Sequence, residues 1–234
     1  MNKQFKWVPL TSIEIAELKA QHFNQSEAAF IADVSPIALN EWHNRGLVPE
    51  PRQITGRGHR RRYNLDQLAY LQAMRALSTR GLRLKDAATI ASTVLCGQIM
   101  DAFEHVCAAE TIREATGGVR SFAVISGTED EGDLTVELFI ENKRVAVGNE
   151  AETGEDLHAW LARSCVEDAI VVAPIQLAFA LRLKAERVTR LRATEAFQRE
   201  LAAHADSFKR QPAEKATVAK DAVTRTRAAK RRAK

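Results

Sequence analysis

Ser35-Pro36 is the tightest constraint in this sequence. It divides two short stretches, Asn24–Asp33 and Ser35–Arg45, that each carry helix signals. Proline disfavours a helical residue before it, so the first helix must stop here. Ser35 can cap the second helix, and Pro36 can take its first position, where no amide hydrogen is missed. Upstream, Asn24-Gln25-Ser26-Glu27 has the spacing of a capping box. Ala28, Ile31 and Val34 then lie at helical spacing toward one core, and small Ala29 suits close helix–helix approach. Downstream, Leu39 and Trp42 share an inner face one turn apart, and Gly46 is placed for a left-handed stop.

The second helix leaves Ile37, Ala38, Asn40, Glu41, Asn44 and Arg45 for an outer face, with Ser35 at its entrance. Short side chains near its start permit close approach to a groove. Asparagine and arginine supply hydrogen bonds to base edges and phosphates. Alone, such a helix pair is as readily an ordinary corner with a solvated polar face. The following segment shifts the balance. Leu47-Val48-Pro49 leaves the helix extended, Thr55-Gly56-Arg57-Gly58-His59 reads as a turn between two short strands, and Arg60-Arg61-Arg62-Tyr63 follows at once. Three successive arginines cannot all turn inward. Arg57, His59, Arg60, Arg61 and Arg62 are therefore candidates to meet phosphate, with affinity that falls as salt rises. Tyr63 is expected to pack its ring on the head and offer its hydroxyl to a phosphate. Asn64 caps a third helix whose Leu68, Leu71, Met74 and Leu77 form a core stripe, and Gly81 ends it. Leu82 and Leu84 lead into another helix through Ala87, Ala88 and Ile90. A helix pair beside a basic hairpin is a winged helix-turn-helix, a head suited to double-stranded DNA.

Charge distribution agrees with that division. Arg45–Arg62 holds six arginines and one acid. Asp101–Asp168 holds sixteen acids against five Lys and Arg, and Arg182–Lys234 holds sixteen Lys and Arg against six acids. Two basic blocks around an acidic centre fit a nucleic-acid head, a centre that does not bind nucleic acid, and a basic tail.

Residues 23–90 resemble the MerR family of bacterial transcription regulators. The resemblance runs through Ala29, Val34-Ser35-Pro36, Leu39, Arg45-Gly46-Leu47, Pro49, Arg61-Arg62-Tyr63-Asn64, Leu68, Leu71, Gly81-Leu82 and Leu84. It implies a dimeric winged-helix regulator whose second helix enters the major groove while its wings grip flanking phosphates. The family usually carries an arginine and a tyrosine pair after the helix leucine. This chain reads Leu39-Asn40-Glu41-Trp42-His43, where Trp42 can fill the packing role of the second tyrosine.

The rest of the chain is less specific. In residues 1–22, Thr11-Ser12-Ile13-Glu14 has capping-box spacing, and Ile13, Ile15 (or Ala16) and Leu18 give a helix ending near His22 and expected to pack on the head. Gln98–Ala115 reads as one amphipathic helix with Ile99, Phe103, Val106 and Cys107 on one face. Val119–Ser126, Leu134–Ile140 and Arg144–Gly148 read as a three-stranded meander around an acidic loop, Gly127–Asp133. A helix over Thr153–Arg163 and a short strand over Ala169–Ala173 follow, and Pro174 opens a long helix to about Phe208. That helix suits a dimer contact or packing within the chain equally. From Lys209 the sequence is rich in Ala, Lys, Arg and Thr, with ten basic and two acidic residues, too polar to bury a core of its own.

The expected fold is thus mainly α with a small β component. It comprises an N-terminal helical extension (1–22), a winged helix-turn-helix (23–95), a central α+β effector or dimerisation module (96–208) and a disordered basic tail (209–234). The central module leaves a small-molecule effector and a protein partner both open. No nucleophile triad or phosphate loop is present, so catalysis is not expected. Cys96, Cys107 and Cys165 form no CxxC pair, His105 and His158 are single, and the acids at 129–133 lack a calcium-loop pattern, so neither metal nor cofactor is expected. No apolar run approaches the roughly 18–20 residues of a membrane helix. The expected setting is the bacterial cytoplasm, at the nucleoid. The expected function is sequence-specific DNA binding by a homodimeric transcription regulator. The competing reading is an excisionase- or partition-like architectural DNA binder whose central module binds protein.

Overall fold

The computed structural model describes residues 7–49, 52–53, 61–117, 121–126, 135–140, 143–145 and 170–209. Helix α1 spans Ser12–Ala20, α2 Gln25–Ala32 and α3 Pro36–Asn44. Strands β1 (Arg52–Gln53) and β2 (Arg61–Arg62) pair antiparallel, Arg52 opposite Arg62. Helices α4 (Leu65–Ser78) and α5 (Leu84–Ile90) follow. A π-helical turn, Ala91–Leu95, joins α5 to α6 (Cys96–Ala108) without a break, and α7 is Ile112–Gly117.

The helix starts follow local chemistry. Thr11 with Glu14, Asn24 with Glu27 and Asn64 with Gln67 each form a complete capping box. Ser35 Oγ accepts the Ala38 amide at 2.9 Å. Each satisfies amides that a helix leaves orphaned. The turn between α2 and α3 bends through Asp33 at φ 56°, and α3 ends at Gly46, φ 67°. Asp33 tolerates the left-handed region because its carbonyl and carboxylate are both held. Arg75 of α4 donates from Nε to the Asp33 carbonyl at 2.8 Å, and its Nη2 lies 3.2 Å from Oδ2.

The run from α5 into α6 crosses the expected division at residue 95/96. Its π turn has a local cause. Ser92 and Thr93 hydroxyls both donate to the Thr89 carbonyl at 2.9 Å, competing with the ordinary helix ladder. The helix expected over 98–115 instead stops at Ala108, and α7 starts anew. Its last carbonyls are taken from afar. Leu10 N–H donates to Cys107 O at 2.8 Å, Trp7 Nε1 to Ala109 O at 2.9 Å, and Arg182 Nη1 to Val106 O at 2.6 Å.

Strands β3 (Ser121–Ser126), β4 (Thr135–Ile140), β5 (Lys143–Val145) and β6 (Ile170–Val172) form an antiparallel sheet in the order β5-β4-β3-β6. The short apolar strand near 170 therefore joins the meander as its fourth member, Ala123 facing Val172. The acidic loop at 127–133, the helix expected over 153–163 and residues 210–234 lie outside the described residues. Pro174 opens α8, which ends at Leu191, and a second helix, α9, covers 195–209. The single long helix expected here is thus two. Thr194 breaks it by capping the second, its Oγ1 accepting the Phe197 amide at 3.3 Å.

One core joins these elements. Ala28, Ile31, Leu68, Leu71, Met74, Phe103, Val106, Leu181, Val188 and Phe197 are buried in a single cluster. The N-terminal extension belongs to it differently from the expectation. Ile13 is 72% exposed, and Leu18 carries the burial. The extension docks on α6 and α8 through a Lys19–Glu104 ion pair and a Trp7–Phe179 stack with ring centroids 5.3 Å apart. Arg182, 2% exposed, sits beneath it with its guanidinium 3.9 Å from the Trp7 ring centre. Its Nη2 donates to Val8 O and its Nε to Glu186 at 2.7 Å. Its charge also opposes the negative C-terminal end of α6.

Candidate nucleic-acid interface

Helix α3 has two distinct sides. Leu39 is fully buried and Trp42 is 5% exposed, and both belong to the core cluster that also holds residues of α2 and α4. The Tyr70 hydroxyl of α4 donates to the Leu47 carbonyl just past the helix, fixing its exit. Ile37, Asn40, Glu41, Asn44 and Arg45 are exposed, while Ser35 and Ala38 are half-buried. Ile37 is 63% exposed, a large apolar side chain turned to solvent near the start of the helix. The Ser35 oxygen already serves as the helix cap.

The wing is braced against this helix. Phe23 and Tyr63 exchange two backbone hydrogen bonds, each 2.9 Å, so Phe23 extends the hairpin sheet and ties it to the entrance of α2. Arg61 donates from Nη1 to Asn40 Oδ1 at 2.9 Å, and Gln25 donates from Nε2 to the same oxygen at 2.8 Å. Arg62 is half-buried, and its Nε is buried without a hydrogen-bond partner. Arg57, His59 and Arg60 lie outside the described residues.

Tyr63 corrects an expectation. Its side chain is fully buried, and its hydroxyl sits 2.7 Å from His43 Nε2 rather than facing a phosphate. The cause is the Phe23 bridge, which turns the ring into the head. Burial pushes the Tyr63 hydroxyl up to about 12, partly offset by the Arg61 charge beside it. Burial and then the Arg61 charge bring His43 down to about 4, so both partners are neutral at physiological pH. Arg61 can only donate toward the Tyr63 oxygen, which leaves the Tyr63 proton to His43.

Gln25 and His43 touch the candidate residues Asn40 and Tyr63, and sequence reasoning missed both. Gln25 precedes Asn40 by fifteen residues, and nothing local announces the contact. His43 stood next to Trp42 on a helix already read as two-sided, yet its partner is twenty positions away.

Among the described residues no three His, Cys, Asp or Glu side chains form a group that could hold a metal ion. Among them also, no helix is long and apolar enough to cross a membrane. Comparison with curated proteins finds no match. Residues 23–93, about a third of the chain, match the family model described as MerR HTH family regulatory protein, so the two-sided helix and its braced hairpin lie in a segment similar to the DNA-binding helix-turn-helix head of that regulatory family.

Proposed function

We propose that the chain is a sequence-specific transcription regulator that inserts α3 into the major groove as a homodimer on a two-fold operator. The observation that carries this is the exposed face of α3. It offers an apolar group, an amide, a carboxylate and a guanidinium along one side of a helix whose other side is locked in the core. Ile37 suits a thymine methyl, and Glu41 accepts from a cytosine amino group. Asn44 and Arg45 stand at the end of the helix, where phosphates flank the groove. Arg57, His59 and Arg60, which stand between β1 and β2 in the sequence, add phosphate contacts. The centre of the chain carries the effector or protein contact.

Selection of bound duplexes from a random library, followed by genome-wide mapping, tests the reading. The expected result is one palindrome near a gene, its half-sites spaced by about one helical turn or a multiple, roughly 34–36 Å each. Broad coverage or clustered repeats would support the architectural reading instead. Replacing Arg60, Arg61 and Arg62 together with alanine should weaken binding strongly. It should also flatten the salt dependence by roughly 0.9 log unit per decade for each phosphate that is no longer neutralised. Unchanged affinity would remove the wing from the interface.

A further inference from the structure

We infer that Asn40 reads the operator as a hydrogen-bond donor alone, selecting a base edge that offers acceptors, guanine before thymine, and rejecting adenine. The inference rests on the DNA reading above. An asparagine amide ordinarily presents an acceptor and a donor together and uses both on adenine N6 and N7. Here the acceptor is already occupied. Gln25 of α2 and Arg61 of β2 both donate to Oδ1, at 2.8 and 2.9 Å, and a carbonyl oxygen has two lone pairs. The assignment of oxygen and nitrogen follows from chemistry. A guanidinium has donors only, so the Asn40 atom that faces Arg61 must be the oxygen.

What remains is the Nδ2 amino group on the exposed side of α3. Guanine meets it with N7 and O6, and thymine with O4. Adenine offers N7 but sets its amino group beside a donor, and cytosine offers only an amino donor. The amide is held from two neighbouring elements, so its orientation exists before DNA arrives. Asn40 thus presents an oriented neutral donor whose direction Arg61 and Gln25 set.

The test compares base frequencies, position by position, in duplexes enriched from a random library by three full-length proteins. These are the wild type, Asn40→Asp, and the Gln25→Ala/Arg61→Ala double variant, each checked for an intact thermal transition. The wild type should favour guanine over adenine on the order of tenfold at one position in each half-site. Asn40→Asp keeps an acceptor for Gln25 and Arg61 but turns the outward donor into an acceptor. Guanine should there give way to cytosine or adenine, with other positions unchanged. The double variant frees Oδ1, and adenine should rise to match or exceed guanine. Adenine chosen by the wild type at the position that Asn40→Asp alters would mean that DNA draws Arg61 away, and it overturns the inference. So does a profile that neither variant changes. Both outcomes leave the DNA reading standing, whereas a wild type that enriches no sequence ends that reading and the inference with it.

Discussion

Tyr63 shapes the interface from inside the head, through His43, and that role separates from a phosphate contact by experiment. Tyr63→Phe removes the 2.7 Å hydrogen bond to His43 together with the oxygen toward which Arg61 donates, and it leaves His43 Nε2 unpaired. Stability should fall by about 1 kcal/mol, a thermal shift of roughly 2–4 °C for a chain of this size. DNA affinity and its salt dependence should not move. A hydroxyl on phosphate would give the reverse pattern in anisotropy titrations. The pair also sets a pH dependence. His43 stays neutral in the fold down to about pH 4, while an unfolded histidine takes its proton near 6.5. Between those values the unfolded chain binds more protons, so stability declines as pH falls from about 6.5 to about 4. His204, lowered chiefly by burial, adds in the same direction. His43→Gln should reduce that slope in urea melts across this range, and an unchanged slope would assign it elsewhere.

Helix boundaries show what a one-dimensional reading reaches. Caps are exchanges over three residues, so Thr11 with Glu14, Asn24 with Glu27, and Ser35 with the Ala38 amide were all legible in order. The stripe Leu68, Leu71, Met74 and Leu77 was legible for the same reason, and all four are fully buried. The stop after Ala108 was not, because the groups that take its carbonyls stand near residues 10 and 182. Thr194 did carry a local signal, a hydroxyl three residues before Phe197, but the apolar spacing on either side concealed it. Arg182 was hidden most fully, since a long cation in a helix reads as solvated. Its four acceptors come from three separate places, Val8, the end of α6 and Glu186. Arg182→Met should therefore cost about 3 kcal/mol or more in urea unfolding, by leaving three backbone carbonyls without this donor and Glu186 with Arg190 alone. Arg182→Lys should recover little, because one ammonium cannot span that fork of partners. Full recovery by lysine would reduce the site to a simple charge.

At the scale of the molecule, the C-terminal helices hold the DNA-binding helix pair in place. Phe197 of α9 meets Phe30 of α2 edge-on with ring centroids 5.5 Å apart, and His204 meets the same ring at 5.4 Å. Lys184 of α8 donates to the Phe30 carbonyl at 3.3 Å. Arg192 lies 3.8 Å from Glu27, itself 3% exposed, and over the Phe23 ring. Through these contacts the head borrows part of its core from residues more than 150 positions later. No local pattern announces such borrowing, which is why the sequence suggested a boundary at 95/96 where the structure has a continuous helical run. Two measurements test the dependence. Phe197→Ala should lower the stability of the whole chain by about 3–5 kcal/mol. A fragment of residues 1–95 should then lack a cooperative thermal transition, since it loses α6, α8 and α9 together, while the full chain melts in one step. DNA selectivity should disappear with the transition, because α3 is positioned only as well as α2 and α4 behind it. A fragment that melts cooperatively and selects the same sites would show that the C-terminal helices merely lean on a head already complete.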